Sequence, residues 1–383
     1  MPAQSGPEEQ TAAPTLREAL ATFVESKGTA EGDGRYATES ERVLTSWIAW
    51  CEERGVETFD GLDARTLGAY ARHLKRRVGA RESDDGSGIS GRSAHQYYAR
   101  VRAFLSWAVA WEYIAENPAA KAVAQNELPE ESAGSSESRQ QFWRSETREA
   151  IVRWADWRAE DALDSEWMDG ATAVRDRALV ATVAYTAVRG AEILREPRDS
   201  RRRGLRWSDV HLDDGYLEVL GKSREREEVP VPPQARRYLE RHRRRQNPPN
   251  ADWPVFESGH LPSKYALVRE TVDDEDRIEE LCTPARIDDA LRTLGLAPPS
   301  LTVEGGRRIL ARLSEESGIR EDGDVLKLHG ARRGLGHELY QRSAELAQVT
   351  LRHKSIETTH ERYTDIEAKR TGETVGEILD EER

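Results

Sequence analysis

Cysteine is nearly absent from this chain of 383 residues, which carries only Cys51 and Cys282. Two cysteines so far apart supply neither a disulfide framework nor the close pairs of a cysteine zinc site, and they read as reduced, buried thiols of an intracellular protein. No stretch of 18 apolar residues occurs, and the opening MPAQSGPEEQ has no basic and then apolar segment. Both absences argue against a membrane span or a secretory signal, so a cytoplasmic protein is expected. There is no glycine-rich phosphate loop, no HExxH and no Gly-x-Ser-x-Gly elbow, and nine histidines are too few for a rich metal site. No cofactor and no metal is expected.

Lysine is also scarce, since 49 of the 57 basic residues are arginine. Against 70 acidic residues these leave a net charge of −13, at first sight a poor profile for a nucleic-acid binder. The charge is not spread evenly. Residues 171–250 carry +6 and lie between segments 121–170 and 251–300, each at −6. Arginine keeps the forked, phosphate-matching cation while acidic groups cover the remaining surface. Few lysines among many carboxylates is also the composition of a protein from a halophile, and a high-GC genome would give the same arginine bias.

Residues 1–35 form an acidic extension with one helix from Leu16 to Val24. Residues 36–120 read as a small all-helical domain. Thr38 and Glu41 have capping-box spacing ahead of Val43, Leu44, Trp47, Ile48 and Cys51. Helices then follow over Asp63–Arg76 and Ser93–Tyr113, and Asn117-Pro118 closes the last of them. Residues 121–142 lack apolar periodicity and read as a linker. The remainder, 143–383, is mainly helical, with short extended segments at Leu205–Val210, Gly215–Leu220 and Glu227–Val231 that fit a small antiparallel sheet. The whole is α+β. Residues 254–283 are acidic and irregular in pattern, with a helix expected over Pro284–Leu294.

The chemistry-bearing text is a set of cations and imidazoles beside apolar helical stretches. Arg189 ends the run LVATVAYTAV, where a cation is costly unless paired or exposed. Lys222 sits in a hairpin turn, and His329 and Arg332 share a helix face. His353 and Tyr363 complete the set. Singly, each has an ordinary reading: Arg189 paired with Glu192 at a helix end, Lys222 solvated in its turn, Tyr363 in a core.

In this order, however, the set resembles the tyrosine recombinase family of phage integrases and Xer-like recombinases across roughly residues 38–380. The family's first box, Tyr-Thr-Gly-x-Arg-x-x-Glu, corresponds to Tyr185, Thr186, Ala187, Val188, Arg189, Gly190, Ala191 and Glu192. The hairpin box corresponds to Trp207, Asp209 and Val210, then Gly221-Lys222-Ser223, then Val229-Pro230-Val231. His-x-x-Arg is His329 to Arg332, and the last box is Leu351-Arg352-His353 with Thr358-Thr359 and Tyr363. The chain departs from the pattern at several points. Ala187 and Arg352 stand where the family has glycine, which is tolerable provided those positions lie outside φ > 0. Ala331 replaces a common leucine, His353 and Tyr363 are ten apart where nine is usual, and the stretch between Lys222 and His329 is long. Its segment 254–283 is a candidate insertion.

The resemblance implies a helical core-binding domain and a catalytic domain that clamp double-stranded DNA, cleaving and rejoining strands through a 3′-phosphotyrosyl bond without ATP or metal. It assigns Tyr363 as nucleophile, Arg189 and Arg332 to the nonbridging oxygens, and Lys222 as general acid. His329 and His353 assist, and Glu192 orients Arg189. Backbone contacts are expected from Lys75, Arg76, Arg92, Arg100, Arg202 and Arg203, and self-association on DNA, dimer to tetramer, through Gly372–Leu379. A DNA-binding protein of the same fold without strand cleavage is the alternative.

Overall fold

Apolar residues at helical spacing become the helices of the N-terminal half, though not always from the residue the local text favours. A computed structural model describes residues 14–28, 34–82, 88–130, 140–165 and 169–362. Two units divide the chain, Met1–Arg139 with Arg198–Ser200, and Gln140–Pro197 with Arg201–Arg383.

The first unit is α1 (Leu16–Lys27), α2 (Arg35–Glu52), α3 (Ala64–Glu82), α4 (Gly91–Ala110) and the single turn α5 (Ala122–Gln125). A reciprocal cap starts α1: Thr15 Oγ1 accepts the Glu18 N–H while the Glu18 carboxylate accepts the Thr15 N–H. α2 is entered from Gly34, so the Thr38–Glu41 pair read from sequence as a cap lies inside the helix. Buried Ala37 and Ser40 extend the inward face of α2 toward that earlier start. Aromatic rings fill the core, with Phe104 set edge-on to Phe23 at 5.3 Å and to Trp47 at 6.0 Å. Leu16, Ala19, Leu20 and Phe23 of α1 belong to this core, which therefore begins before residue 36. Asn117 accepts the Ala119 N–H at 2.9 Å and donates to the Arg102 carbonyl at 2.8 Å, fastening the turn after α4 back onto it.

The second unit is built around α7 (Gly170–Thr186), which is buried on nearly every side. Its apolar C-terminal half needs no explanation, and its charged start is satisfied internally. Arg175 donates to Asp176 and to the Glu257 carbonyl, and Arg177 reaches Asp156 at 2.8 Å and Glu160 at 2.7 Å. Against it lie α6 (Ser145–Asp164), α9 (Pro233–Gln246) and α14 (Leu328–Arg342). The short helix α8 (Gly190–Ile193) follows α7 and leads toward an antiparallel sheet of β1 (Val210–His211), β2 (Tyr216–Leu220) and β3 (Arg226–Pro230), in the order β1-β2-β3. The first extended segment expected, Leu205–Val210, is interrupted by a 3-10 turn, Trp207–Asp209, and only Val210 enters the sheet. The backbone of Leu205 is bonded elsewhere, donating to the Ile193 carbonyl and accepting from the Val255 N–H, both at under 3.1 Å.

Where the acidic segment reads as irregular, the chain forms α10 (Leu261–Thr271) and α11 (Glu275–Leu281), followed by α12 (Ile287–Thr293). Val268, Leu281, Ile287, Ala290 and Leu291 give these three a small core of their own. The chain continues through α13 (Val303–Ser317), α14, α15 (Ala344–Leu351) and α16 (Ile356–Arg362). The architecture is mainly helical with one small antiparallel sheet, the α+β class expected from sequence. No helix among the described residues is long and apolar enough to cross a membrane.

Candidate active site

Arg189 is placed by the way α7 ends. Ala187 adopts the left-handed conformation, φ 55°, and turns the chain so that Arg189 caps α8. Its Nη1 donates to Glu192 Oε1 at 2.6 Å, while its backbone N–H donates to Oε2 at 2.7 Å. The Arg189 side chain keeps 27 % of its surface exposed and Glu192 keeps 1 %. Burial alone would push the Glu192 carboxyl up, but Arg352, the Arg189 N–H and the Arg189 guanidinium together hold it below the ordinary value. Glu192 is therefore a buried anion that holds both the backbone and the guanidinium of Arg189.

Arg332 lies on α14, whose start is clasped by the segment before α6. Gln141 Oε1 accepts the Lys327 N–H at 2.7 Å and the Trp143 indole N–H at 3.0 Å. The approach of this segment is so close that a Cβ on Gly334 would fall 2.0 Å from the Trp143 carbonyl oxygen, which excludes any larger residue there. Arg332 is buried, and its two terminal nitrogens donate to the carbonyls of Ala187 and Leu351. One guanidinium thus fastens the end of α7 and the end of α15 to α14. His329, three residues earlier on α14, is exposed.

The last box is assembled by α15 and α16. His353 Nδ1 is 2.9 Å from Thr359 Oγ1, and Thr359 is fully buried, so the second residue of the Thr-Thr pair fixes the imidazole. The His353 N–H donates to the Gln348 carbonyl at 3.1 Å. Tyr340 is buried, with its hydroxyl 2.6 Å from His360 Nδ1. Tyr363 lies outside the described residues.

Arg352, just before His353, has φ 52°. Both positions where glycine is usual in the family therefore lie in the left-handed region, the condition under which the substitutions were expected to be costly. For a residue with a Cβ that conformation costs about 1–2 kcal/mol. At Arg352 the cost accompanies a gain. The side chain is 10 % exposed and pairs with Glu192 at 2.6 Å and with Glu227 at 3.1 Å. Sequence reasoning missed this residue as a site component; the signal was a long cation where the pattern has no side chain at all.

Lys222 is exposed in the β2–β3 turn. Its neighbours are held. Arg202 donates to the Leu220 carbonyl at 2.9 Å, to Gly221 at 2.8 Å and to Ala191 at 3.0 Å. Ser223 Oγ donates to Glu227 Oε1 at 3.2 Å. Arg202, half-buried, thus ties α8 to the end of β2 and the start of its turn. Arg203 pairs with Asp252 at 2.8 Å, and Arg100 stacks on Tyr36 and donates to Ser40 Oγ at 2.9 Å. Lys75, Arg76 and Arg92 are exposed. Among the described residues no group of three or more His, Cys, Asp or Glu side chains could hold a metal ion.

Side-chain contacts thus join the first, third and fourth boxes through Arg332 and Arg352, and join the hairpin to them through Glu227. The model of the phage integrase family matches residues 160–370, more than half of the chain. The chain belongs to the phage integrase family. Among the chain's relatives, tyrosine recombinase XerC of Xylella fastidiosa (strain 9a5c) is 28% identical over 192 residues, 50% of this chain and 51% of the relative. The chain thus aligns with about half the length of the curated relatives it matches. Its fold is similar to that of the Tn1549 transposon integrase in complex with transposon right end DNA, with a TM-score of 0.58, 11% identity, 94% of this chain covered and 100% of that one. It is also similar to XerH site-specific recombinase bound to palindromic difH substrate, with a TM-score of 0.53, 15% identity, and 94% and 92% covered.

Proposed function

We propose that this phage integrase family member is a site-specific tyrosine recombinase acting on double-stranded DNA. The observation that carries the reading is the Arg332 guanidinium bridging the Ala187 and Leu351 carbonyls, with Arg352 closing on Glu192 beside it. Boxes separated by well over a hundred residues share one hydrogen-bonded cluster, as a common reaction centre requires.

Breaking a strand without water needs a nucleophile that stays attached to phosphorus. In this reading the Tyr363 oxygen forms a bond to the scissile phosphorus and the bond from phosphorus to the 5′ oxygen breaks. The phenolic proton leaves with help from His329, and the 5′ oxygen takes a proton from Lys222. Arg189, more exposed than Arg332, and Arg332 meet charge on the nonbridging oxygens, and His353 donates a hydrogen bond to the phosphate. The phosphotyrosyl bond conserves the energy of the phosphodiester, so a second 5′ hydroxyl reseals the strand. Lys75, Arg76 and Arg92 supply salt-dependent backbone contacts. The site of action is the cytoplasm, with protomers associating on DNA through Gly372–Leu379, which lies outside the described residues.

The test is adduct trapping on tiled duplexes taken from the DNA that flanks the protein's own gene. Wild-type protein is expected to form a covalent adduct whose peptide maps to Tyr363, and Tyr363→Phe to abolish it while duplex binding stays within about twofold. An adduct at Tyr340 would refute the assignment. Specific binding with no adduct from either protein would favour a DNA-binding protein without strand cleavage.

A further inference from the structure

Arg352 is the residue that the proposed chemistry leaves without a task and on which the structure nevertheless spends most. It keeps a long side chain at a left-handed position, covers most of it, and places it between two carboxylates. One of them, Glu192, is the partner of Arg189. The other, Glu227, belongs to β3 and lies two residues before buried Val229, so strand alternation sends it to the inner face of the hairpin. A carboxylate on that face requires a cation. The room for it comes from Gly221, where a Cβ would fall 1.9 Å from Glu227 Oε1. The same Oε1 accepts from Ser223, the residue after Lys222.

We infer that Arg352 is a positioning residue that locks the Lys222 turn to the Arg189–Glu192 pair, so that the proton donor and the phosphate clamp are held in one frame. The contacts run without a break from Arg189 through Glu192, Arg352 and Glu227 to Ser223. Without Arg352, Glu227 loses its cation and the turn loses the tie on the Ser223 side, while Arg202 still holds the Gly221 side. Lys222 then samples more positions. Arg189 keeps both of its bonds to Glu192, so the clamp suffers less than the donor.

The inference rests on the recombinase reading, so one arm of its test is independent of activity. Arg352→Gly suits the backbone at φ 52° and deletes the side chain; Glu227→Gln cuts the same chain at its next link. In the protein free of DNA, hydrogen exchange across residues 220–226 is expected to rise at least tenfold in both variants, with exchange in α7 unchanged. Unchanged exchange in the turn overturns the inference whether or not the wild type cleaves DNA. The second arm uses the adduct-forming duplex and a version with sulfur in place of the bridging 5′ oxygen, a leaving group that needs no proton. On the ordinary duplex Arg352→Gly is expected to slow cleavage about 10- to 100-fold, less than the roughly 10²–10⁴ lost with the proton donor itself. The sulfur duplex should restore most of that rate, and in a Lys222→Ala background Arg352→Gly should add little further loss, because two changes in one linked unit are not additive. Arg352→Lys, which keeps a cation without the fork, should fall between. Equal slowing on both duplexes would mean that Arg352 supports the site as a whole, and would overturn its assignment to the Lys222 turn.

Discussion

The two units of the molecule keep their interiors in different ways. Among the described residues the first buries no Asp, Glu, Lys or Arg side chain; its core is apolar and largely aromatic, and its buried polar side chain is Ser40. The second buries Arg148, Arg175, Asp176, Arg177, Glu192 and Arg332 among others, nearly all with charged or carbonyl partners. Aromatic packing gains stability from area removed from water and tolerates small shifts. Buried ion pairs gain little net stability, since desolvation offsets most of the attraction, but they fix direction and distance. A unit that has only to present a surface can rely on the first kind of core. A unit that aims guanidiniums at a phosphate, as proposed for the second, benefits from the other kind.

The largest effect that would sharpen this contrast is expected in the first unit. Phe104 is fully buried among Phe23, Trp47, Phe59 and Trp107. Phe104→Ala should cost about 3–5 kcal/mol, the usual range for an aromatic core truncation. Hydrogen-exchange protection should fall throughout α1–α4 and stay as in wild type in α7 and α9. Equal loss in both units would mean that they unfold as one, and the contrast between their interiors would lose its energetic meaning.

A middle-sized effect is expected from acid on the second unit. His242 on α9 is buried, its Nε2 2.6 Å from the Val255 carbonyl oxygen and its Nδ1 without a partner. Burial pushes this imidazole down to about 4, from an ordinary 6.5. The unfolded chain therefore takes up the proton first. Stability from His242 is complete above about pH 6.5 and is lost as pH falls toward 4, by about 3 kcal/mol in total. Glu192 adds a loss at lower pH, because its carboxyl is depressed below 4.5 in the fold and its contribution disappears as pH falls through that lower value. Denaturant melts of His242→Gln between pH 4 and 6.5 should show a flatter slope than wild type. The same slope in both would remove His242 as the source of acid sensitivity.

What was legible in the sequence follows from how far apart the interacting residues are. The boxes around Arg189, Arg332 and His353 could be read because each is a short run with a fixed local geometry. The ties among them could not, because Arg352 meets Glu192 across 160 positions and Arg332 meets Ala187 across 145. Local text also misled where tertiary bonds won. Leu205–Val210 has strand-like residues, yet its backbone is claimed by Ile193 and Val255. The segment 254–283 is helical because α10 and α11, each short, are completed by α12 into a core that no single stretch reveals.

The smallest expected effect concerns the other left-handed position. Ala187 at φ 55° carries the backbone cost of a Cβ, and Ala187→Gly removes it, for a gain of about 1 kcal/mol. Its methyl, however, is buried against Tyr340, Ala347 and Leu351, and a buried methyl is worth about 0.8 kcal/mol. The two terms nearly cancel, so the melting temperature should move by less than about 2 °C. That near balance explains how the second unit keeps an alanine where its family has glycine: the strain is offset by a contact that joins the end of α7 to α14 and α15. A loss above about 1.5 kcal/mol in denaturant melts would mean that the methyl is a keystone of that junction. A gain of the same size would mean that it packs against nothing that matters, leaving Arg332 alone to hold the three helices together.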